Sequence, residues 1–301
     1  MNSILIAGPT ASGKSGLALA LAKKYNGVII NADALQVYDQ WRILTARPSR
    51  EDETMAPHAL YGHVMMDQHY SVGAWIKDVR NILQTSDLMP IFVGGTGLYF
   101  SALTNGLADI PAIPPEIRAR GNEIRDTVGR IWFHDKLAKD DPETFGSIDQ
   151  QNPARLQRAW EVLETTGKGL AFWKSTTPPP MIKLEETTAI VLNWNVNSLN
   201  NRINTRFKQM MEMGALNEVE AVEKAHWHPA LPSSRALGAS ELIDIIHAKT
   251  TIEDAVNKAQ LLTRQFAKRQ RTWFRSKMSN WRQIPMDDQM SAKEIIATLD
   301  S

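Results

Sequence analysis

The sequence predicts an α/β protein, a parallel sheet flanked by helices with a helical domain inserted into it. Three observations carry that prediction. Short apolar runs alternate with amphipathic stretches, a glycine-rich loop joins the first run to the first helix, and two proline clusters bracket a polar helical segment.

Ile4-Leu5-Ile6-Ala7 reads as a buried strand, Lys14 to Tyr25 as a helix and Val28-Ile29-Ile30-Asn31 as a second strand. Ser71 is placed to cap a helix whose apolar positions Trp75, Ile76, Val79, Ile82 and Leu83 follow the helical period, and Pro90-Ile91-Phe92-Val93 reads as a third strand. From Ala108 to Pro115 three prolines fall within five residues, which neither a helix nor a central strand accommodates, so this stretch reads as a hinge. Beyond it the chain is polar and helical to about Trp173. Its best-marked helix has Asn152 as N-cap, Pro153 at the first helical position and Gly167 past its end. Pro178-Pro179-Pro180 closes the segment, and Ala189-Ile190-Val191-Leu192 returns to the sheet. The expected organisation is a core from 1–118 and 185–301 with 119–184 inserted. Finally, Thr251 to about Lys277 reads as one long helix, with Ala255, Ala259, Leu262, Phe266 and Trp273 on one face and Arg264, Lys268, Arg271 and Arg275 opposite.

With 301 residues, 43% of them hydrophobic, the chain can fill one large domain or two modest ones, which excludes a disordered or fibrous protein. No apolar run approaches the roughly 20 residues of a membrane-spanning helix, and no basic leader precedes the first strand. The expectation is a soluble, cytoplasmic protein without membrane attachment, and a monomer. Cysteine is absent, which rules out disulfides, thiol nucleophiles and cysteine-ligated metals. The net charge of +1 hides an asymmetry: from Arg264 to Arg282 there are seven Lys or Arg and no acid.

Gly8-Pro9-Thr10-Ala11-Ser12-Gly13-Lys14-Ser15 follows a strand and opens a helix, which is the setting of a phosphate-binding P-loop. Glycines permit the tight turn, successive N–H groups and the helix N-terminus meet the anion, Lys14 adds a full charge, and Ser15 is placed to ligate Mg²⁺. The fold expected is therefore P-loop NTPase-like. Phosphoryl-transfer enzymes of this class usually end another strand with an aspartate that holds Mg²⁺. Here that strand runs into Gly94-Gly95-Thr96-Gly97, and the carboxylate stands instead at Asp33, after the second strand. In a parallel sheet all three loops emerge at the carboxyl edge, where ligands bind.

These residues, together with Asp33-Ala34-Leu35-Gln36-Val37-Tyr38, Gly94-Gly95-Thr96-Gly97-Leu98-Tyr99, Asn152-Pro153-Ala154-Arg155-Leu156-Gln157-Arg158-Ala159-Trp160-Glu161 and the stretch from Thr263 to Trp273, resemble the bacterial tRNA dimethylallyltransferase (isopentenyltransferase) family over nearly the whole chain. The resemblance implies transfer of a dimethylallyl group from dimethylallyl diphosphate to N6 of the adenosine 3′ of the anticodon, with Mg²⁺, in tRNAs reading codons that begin with U. It implies Asp33 as the base, with Lys14 and Thr96 beside it. Gly8, Thr10, Ala11, Ser12, Gly13, Lys14, Ser15 and Arg235 would hold the diphosphate. Asp33, Ala34, Leu35, Gln36, Thr96, Arg118, Gln157, Arg158, Ala159, Trp160, Glu161, Arg264, Lys268 and Arg271 would meet tRNA.

Plainer readings stand beside these. Asp33 could cap a helix or orient the P-loop, Thr96 could be a turn residue, and the basic stripe could be an ordinary solvated face. Surface ion pairs would account for Arg118, Arg158 and Glu161. A P-loop small-molecule or nucleoside kinase is the alternative function, and a non-catalytic RNA-binding module a second. Two departures from the family pattern are visible: Ala239 and Ser240 replace the usual Tyr-Arg after Gly238, and Leu44 stands where glycine is common.

Overall fold

The computed structural model describes residues 3–225 and 227–300. Its contacts divide the chain into one unit made of Met1–Thr104 with Met181–Ser301 and a second made of Asn105–Pro180. The dividing points read from sequence lie at 118/119 and 184/185; the first falls inside the helix Pro115–Thr127, which packs as a whole within the second unit.

In the first unit the elements are β1 (Ser3–Ala7), α1 (Lys14–Tyr25), β2 (Gly27–Asn31), α2 (Arg50–Met55), the two-residue β3 (His58–Ala59), α3 (Val72–Thr85), β4 (Met89–Gly94) and α4 (Gly97–Asn105). The second unit contains α5 (Pro115–Thr127), α6 (Arg130–Asp140), α7 (Pro142–Ser147), α8 (Pro153–Thr166) and α9 (Leu170–Ser175). The chain then completes the first unit with β5 (Thr187–Trp194), α10 (Val196–Glu212), α11 (Ala215–Lys224), α12 (Ala239–Ile246), α13 (Ile252–Lys277), β6 (Arg282–Met286) and α14 (Ala292–Asp300).

All six strands are parallel, in the order β3-β2-β4-β1-β5-β6, with Ile4 opposite Ile91 and Thr188 across the centre. The run Ile4-Leu5-Ile6-Ala7 is buried on both faces, as a central parallel strand must be. Alternation sorts it: Leu5 and Ala7 join Phe92, Trp75 and Phe100 on one side, while Ile4 and Ile6 join Leu17, Leu21 and Ile91 on the other. Pro285 falls in β6, at the sheet edge, where a missing N–H is tolerated. A third cluster, including Trp41, Leu44, Phe207, Ala239 and Leu242, packs the segment after β2 against α10 to α13. Leu44 and Ala239, both departures from the family pattern, are buried in it together.

The caps read from sequence form. Ser71 Oγ accepts from Ala74 N, Asn152 Oδ1 accepts from Ala154 N and Arg155 N, and Gly167 closes α8 with a φ of 68°. Thr251 caps α13, which runs to Lys277. Its buried face differs from the expectation. Ala255, Ala259, Gln260, Ala267, Gln270 and Phe274 are buried, whereas Leu262, Phe266 and Trp273 are only partly so. The helix is turned because its two glutamines satisfy backbone groups beneath it: Gln260 Nε2 donates to Asn204 O and Gln270 Nε2 to Gly95 O.

In the second unit Phe133, Leu137, Leu156, Ala159 and Trp160 are fully buried together. Ala159 and Trp160 therefore build this core and do not meet solvent. Trp160→Ala is expected to cost the unit about 3–5 kcal/mol. Hydrogen exchange should then speed up in α6 and α8 while the amides of β1, β4 and β5 keep their protection; equal loss in both sets would contradict the division into two cores.

Candidate active site

The P-loop is shaped by two left-handed residues, Ala11 at φ 62° and Gly13 at φ 86°. Gly13 caps α1 with no side chain, and the first turn of that helix carries no acid. Among the described residues no hydrogen bond is recorded for the amides of Lys14, Ser15 and Gly16. An uncapped N-terminus with free amides is an anion site.

The loop is held from outside. Ala11 O accepts from Arg202 Nε at 3.0 Å, Ser12 O accepts from Trp194 Nε1 at 3.0 Å, and Thr10 N donates to Gln270 Oε1 at 2.9 Å. Lys14 Nζ donates to Pro9 O at 2.7 Å. Gly8 lies beneath, where a Cβ would come within 2.8 Å of Ser12 Oγ.

The loop after β2 is built around fully buried Asn31. Its Oδ1 accepts from Asp33 N at 2.8 Å, and its Nδ2 donates to Asp33 O and Leu60 O, both at 2.9 Å. Asp33 Oδ1 accepts from Leu35 N at 3.0 Å. Ala34 N donates to Thr96 Oγ1 at 2.9 Å and Thr96 N to Ala32 O at 3.1 Å, so the turn after β4 is latched to this loop on both sides. Gln36 Nε2 donates to Thr45 O and Ala46 O, closing the following turn.

These loops face one cavity of about 670 Å³. Thr10, Ala11, Ser12, Gly13, Lys14 and Ser15 line it, as do Asp33, Leu35 and Gln36. Ala34 and Thr96 do not line it; they hold the Asp33 loop in place. Arg235 does not line it either. It ends a 3₁₀ turn pinned through Ser233, whose O accepts from Trp41 Nε1 and whose Oγ donates to Met66 O, and its side chain is exposed. The cations in the cavity wall are instead Arg202 and Arg206, one turn apart on α10 beside buried Leu199 and Ile203. A like-charged pair at this spacing along an apolar stripe is the sequence signal for them. Leu44, Ile203, Phe207, Met210, Leu237 and Phe266 supply an apolar wall.

Of the other residues expected to meet RNA, Arg264 donates to Asn204 Oδ1 at 2.6 Å and is partly buried, whereas Lys268 is exposed and Arg271 partly so. In the helical unit, buried Glu161 accepts from Gln157 Nε2 at 2.9 Å and lies 3.9 Å from both Arg118 and Arg158. Trp173 Nε1 donates to Thr166 Oγ1. Among the described residues no group of three or more His, Asp or Glu is arranged around a metal.

Burial lowers Lys14 from its ordinary 10.5 to about 7, with Asp33 opposing and Arg206 adding to the shift. Burial lowers Arg206 as well, against Asp33. Burial and then Asp33 raise Tyr61, whose phenol lines the cavity and stays protonated. Between about 7 and 10.5 the unfolded chain holds a proton on Lys14 that the folded chain lacks, so stability rises with pH across that window. Urea midpoints followed through the window should climb less in Lys14→Met than in the wild type; parallel curves would contradict the shift.

Residues 36–277 match the family described as IPP transferase, and residues 1–56 that described as isopentenyl transferase. The tRNA dimethylallyltransferase of Cereibacter sphaeroides is 53% identical over 281 residues, 93% of this chain and 95% of that one. A crystal structure of the tRNA isopentenylpyrophosphate transferase of Bacillus halodurans superposes with a TM-score of 0.71 at 29% identity, covering 100% of this chain and 95% of that one. A eukaryotic dimethylallyltransferase acting on tRNA shares the fold, with a TM-score of 0.84 at 24% identity over 99% of this chain and 78% of its own. Strands, P-loop and matches over four-fifths of the sequence agree: the chain belongs to the IPP transferase family.

Proposed function

We propose that this enzyme transfers the dimethylallyl group of dimethylallyl diphosphate to N6 of the adenosine 3′ of the anticodon, in tRNAs reading codons that begin with U. The products are N6-isopentenyladenosine and diphosphate. One observation carries the reading: a single cavity places an uncapped, cation-lined helix N-terminus and the Asp33 carboxylate on a shared space with an apolar wall.

The chemistry follows from these groups. The adenine must leave its stack for N6 to enter the cavity. That amine is a weak nucleophile because its lone pair is delocalised into the ring. As N6 bonds to the allylic carbon, it gives a proton to Asp33, whose Oδ1 is engaged by Leu35 N. The allylic C–O bond breaks and its electron pair leaves with the diphosphate. The amides of α1, Lys14, Arg202 and Arg206 face the departing charge. Lys14 gives up its bond to Pro9 O and takes a full proton there, since an anion favours the ammonium form.

Magnesium suits the donors present. Among the described residues no partner is recorded for the Ser15 hydroxyl, which lies in the cavity wall, and Mg²⁺ commonly takes one or two protein oxygens, with phosphate and water completing its shell. Bound there, it would supply charge to the leaving group. Glycine in place of an acid after β4, and relatives named for prenyl transfer, favour this reading over a kinase. The enzyme works as a cytoplasmic monomer. tRNA backbone meets Lys268 and Arg271 on α13, and Arg118 and Arg158 of the helical unit.

Labelled dimethylallyl diphosphate, Mg²⁺ and unmodified tRNA should yield labelled tRNA; folded protein that leaves the tRNA unlabelled defeats the proposal. Asp33→Asn is expected to lower turnover about 10²–10⁴-fold with tRNA affinity within twofold of wild type. Lys268→Ala and Arg271→Ala should each lower the slope of log affinity on log salt by about 1. Arg264→Ala should change it less, its charge being bonded to Asn204.

A further inference from the structure

Gln270 is buried at 6% exposure, and both ends of its amide are used. Oε1 accepts from Thr10 N of the P-loop at 2.9 Å, and Nε2 donates to Gly95 O of the turn after β4 at 3.0 Å. The approach is so close that a Cβ at Gly95 would collide with the Gln270 amide, and that same position lies 3.5 Å from Asp33 Oδ2. From Gly95 the chain of bonds continues. Thr96 N donates to Ala32 O, Ala34 N donates to Thr96 Oγ1, and Ala32 and Ala34 flank Asp33.

We propose that Gln270 is a positioning residue that sets the distance between the anion-binding loop and the Asp33 carboxylate. The proposal rests on the assignment of diphosphate and amine to those two loops. Attack requires the allylic carbon, held through its diphosphate, and N6, held at Asp33, to meet within bonding range, and a displacement of about 1 Å costs on the order of 10²-fold in rate. Only a side chain that accepts at one end and donates at the other joins the two loops. The bond to Thr10 N also decides which amides remain for the anion: that N–H is committed to Gln270, and those of Lys14, Ser15 and Gly16 stay free. No group of Gln270 touches a reacting atom, so its effect falls on geometry.

Gln270→Glu tests this. A carboxylate at this position still accepts from Thr10 N but repels Gly95 O; once protonated, it accepts and donates as the amide does. Burial raises the pKa of such a carboxyl. Lys14, Asp33, Tyr61, Arg202, Arg206 and Asp288 line the same cavity in both proteins, so the ratio of variant to wild type isolates the new group. Single-turnover transfer per folded molecule, counted by binding of the diphosphate donor, should be about 10- to 100-fold slower than wild type at pH 8. It should recover towards wild type as pH falls through the carboxyl's titration. Gln270→Met should be slow at every pH, with tRNA affinity within twofold of wild type. A Met variant at wild-type rate, or a Glu ratio flat in pH, overturns the proposal. Wild type and Asp33→Asn run alongside: if wild type leaves tRNA unlabelled, the functional assignment has failed, whereas active wild type with equally active Gln270 variants refutes Gln270 alone.

Discussion

A loop that must keep amides free for an anion can make few hydrogen bonds within itself; here they are Ser12 N to Pro9 O at 3.3 Å and Lys14 Nζ to Pro9 O and Ser12 Oγ. The segment from Gly8 to Ser15 meets that constraint by being pinned from outside, through carbonyls and one remote N–H. Arg202 holds Ala11 O, Trp194 holds Ser12 O and Gln270 holds Thr10 N. Each anchor comes from late in the chain, on β5, α10 or α13. The return of the chain to the sheet after the helical insertion is therefore required for the site as well as for the core. β5 beside β1 brings Trp194 under the loop, and Arg202 stacks over the Trp194 ring at 4.4 Å while bonding Ala11 O.

Much of this was legible because it rests on local rules. The glycine turn, the strand before it and the helix after it follow short-range rules, as do Ser71, Asn152 and Gly167 at the ends of their helices. Asp33 could be picked out because a carboxylate directly after a buried strand has few places to go but the sheet's carboxyl edge. The unread parts are the long-range ones. The face that α13 buries is decided by Gln260 and Gln270 bonding to Asn204 O and Gly95 O, partners 56 and 175 residues away, and polar residues count against burial in any apolar pattern. For the same reason Asn31 reads as the end of a strand, although its side chain organises the turn that presents Asp33.

Charged residues misled in both directions. Arg235 is suggested by family likeness, yet its turn leaves it in solvent, while Arg202 and Arg206 take the cavity wall. In the helical unit Ala159 and Trp160 belong to the motif that resembles an RNA-contacting stretch, and their burial shows what such a motif also encodes. A helix needs a packed back before its Arg158 can have a defined front.

The same logic explains why α13 is long. Its side towards the core carries Gln270 between the P-loop and the turn after β4 and sets Trp273 against Gly97, where a side chain of any size would collide. Its outer side carries Lys268 and Arg275, each two residues from one of those contacts and exposed. A helix is stiff over such distances, so whatever grips the outer charges bears directly on the register of the inner ones. A basic face placed on a loop could bind RNA equally well. On α13 the basic face and Gln270, which bonds both the P-loop and the turn after β4, belong to one rigid element.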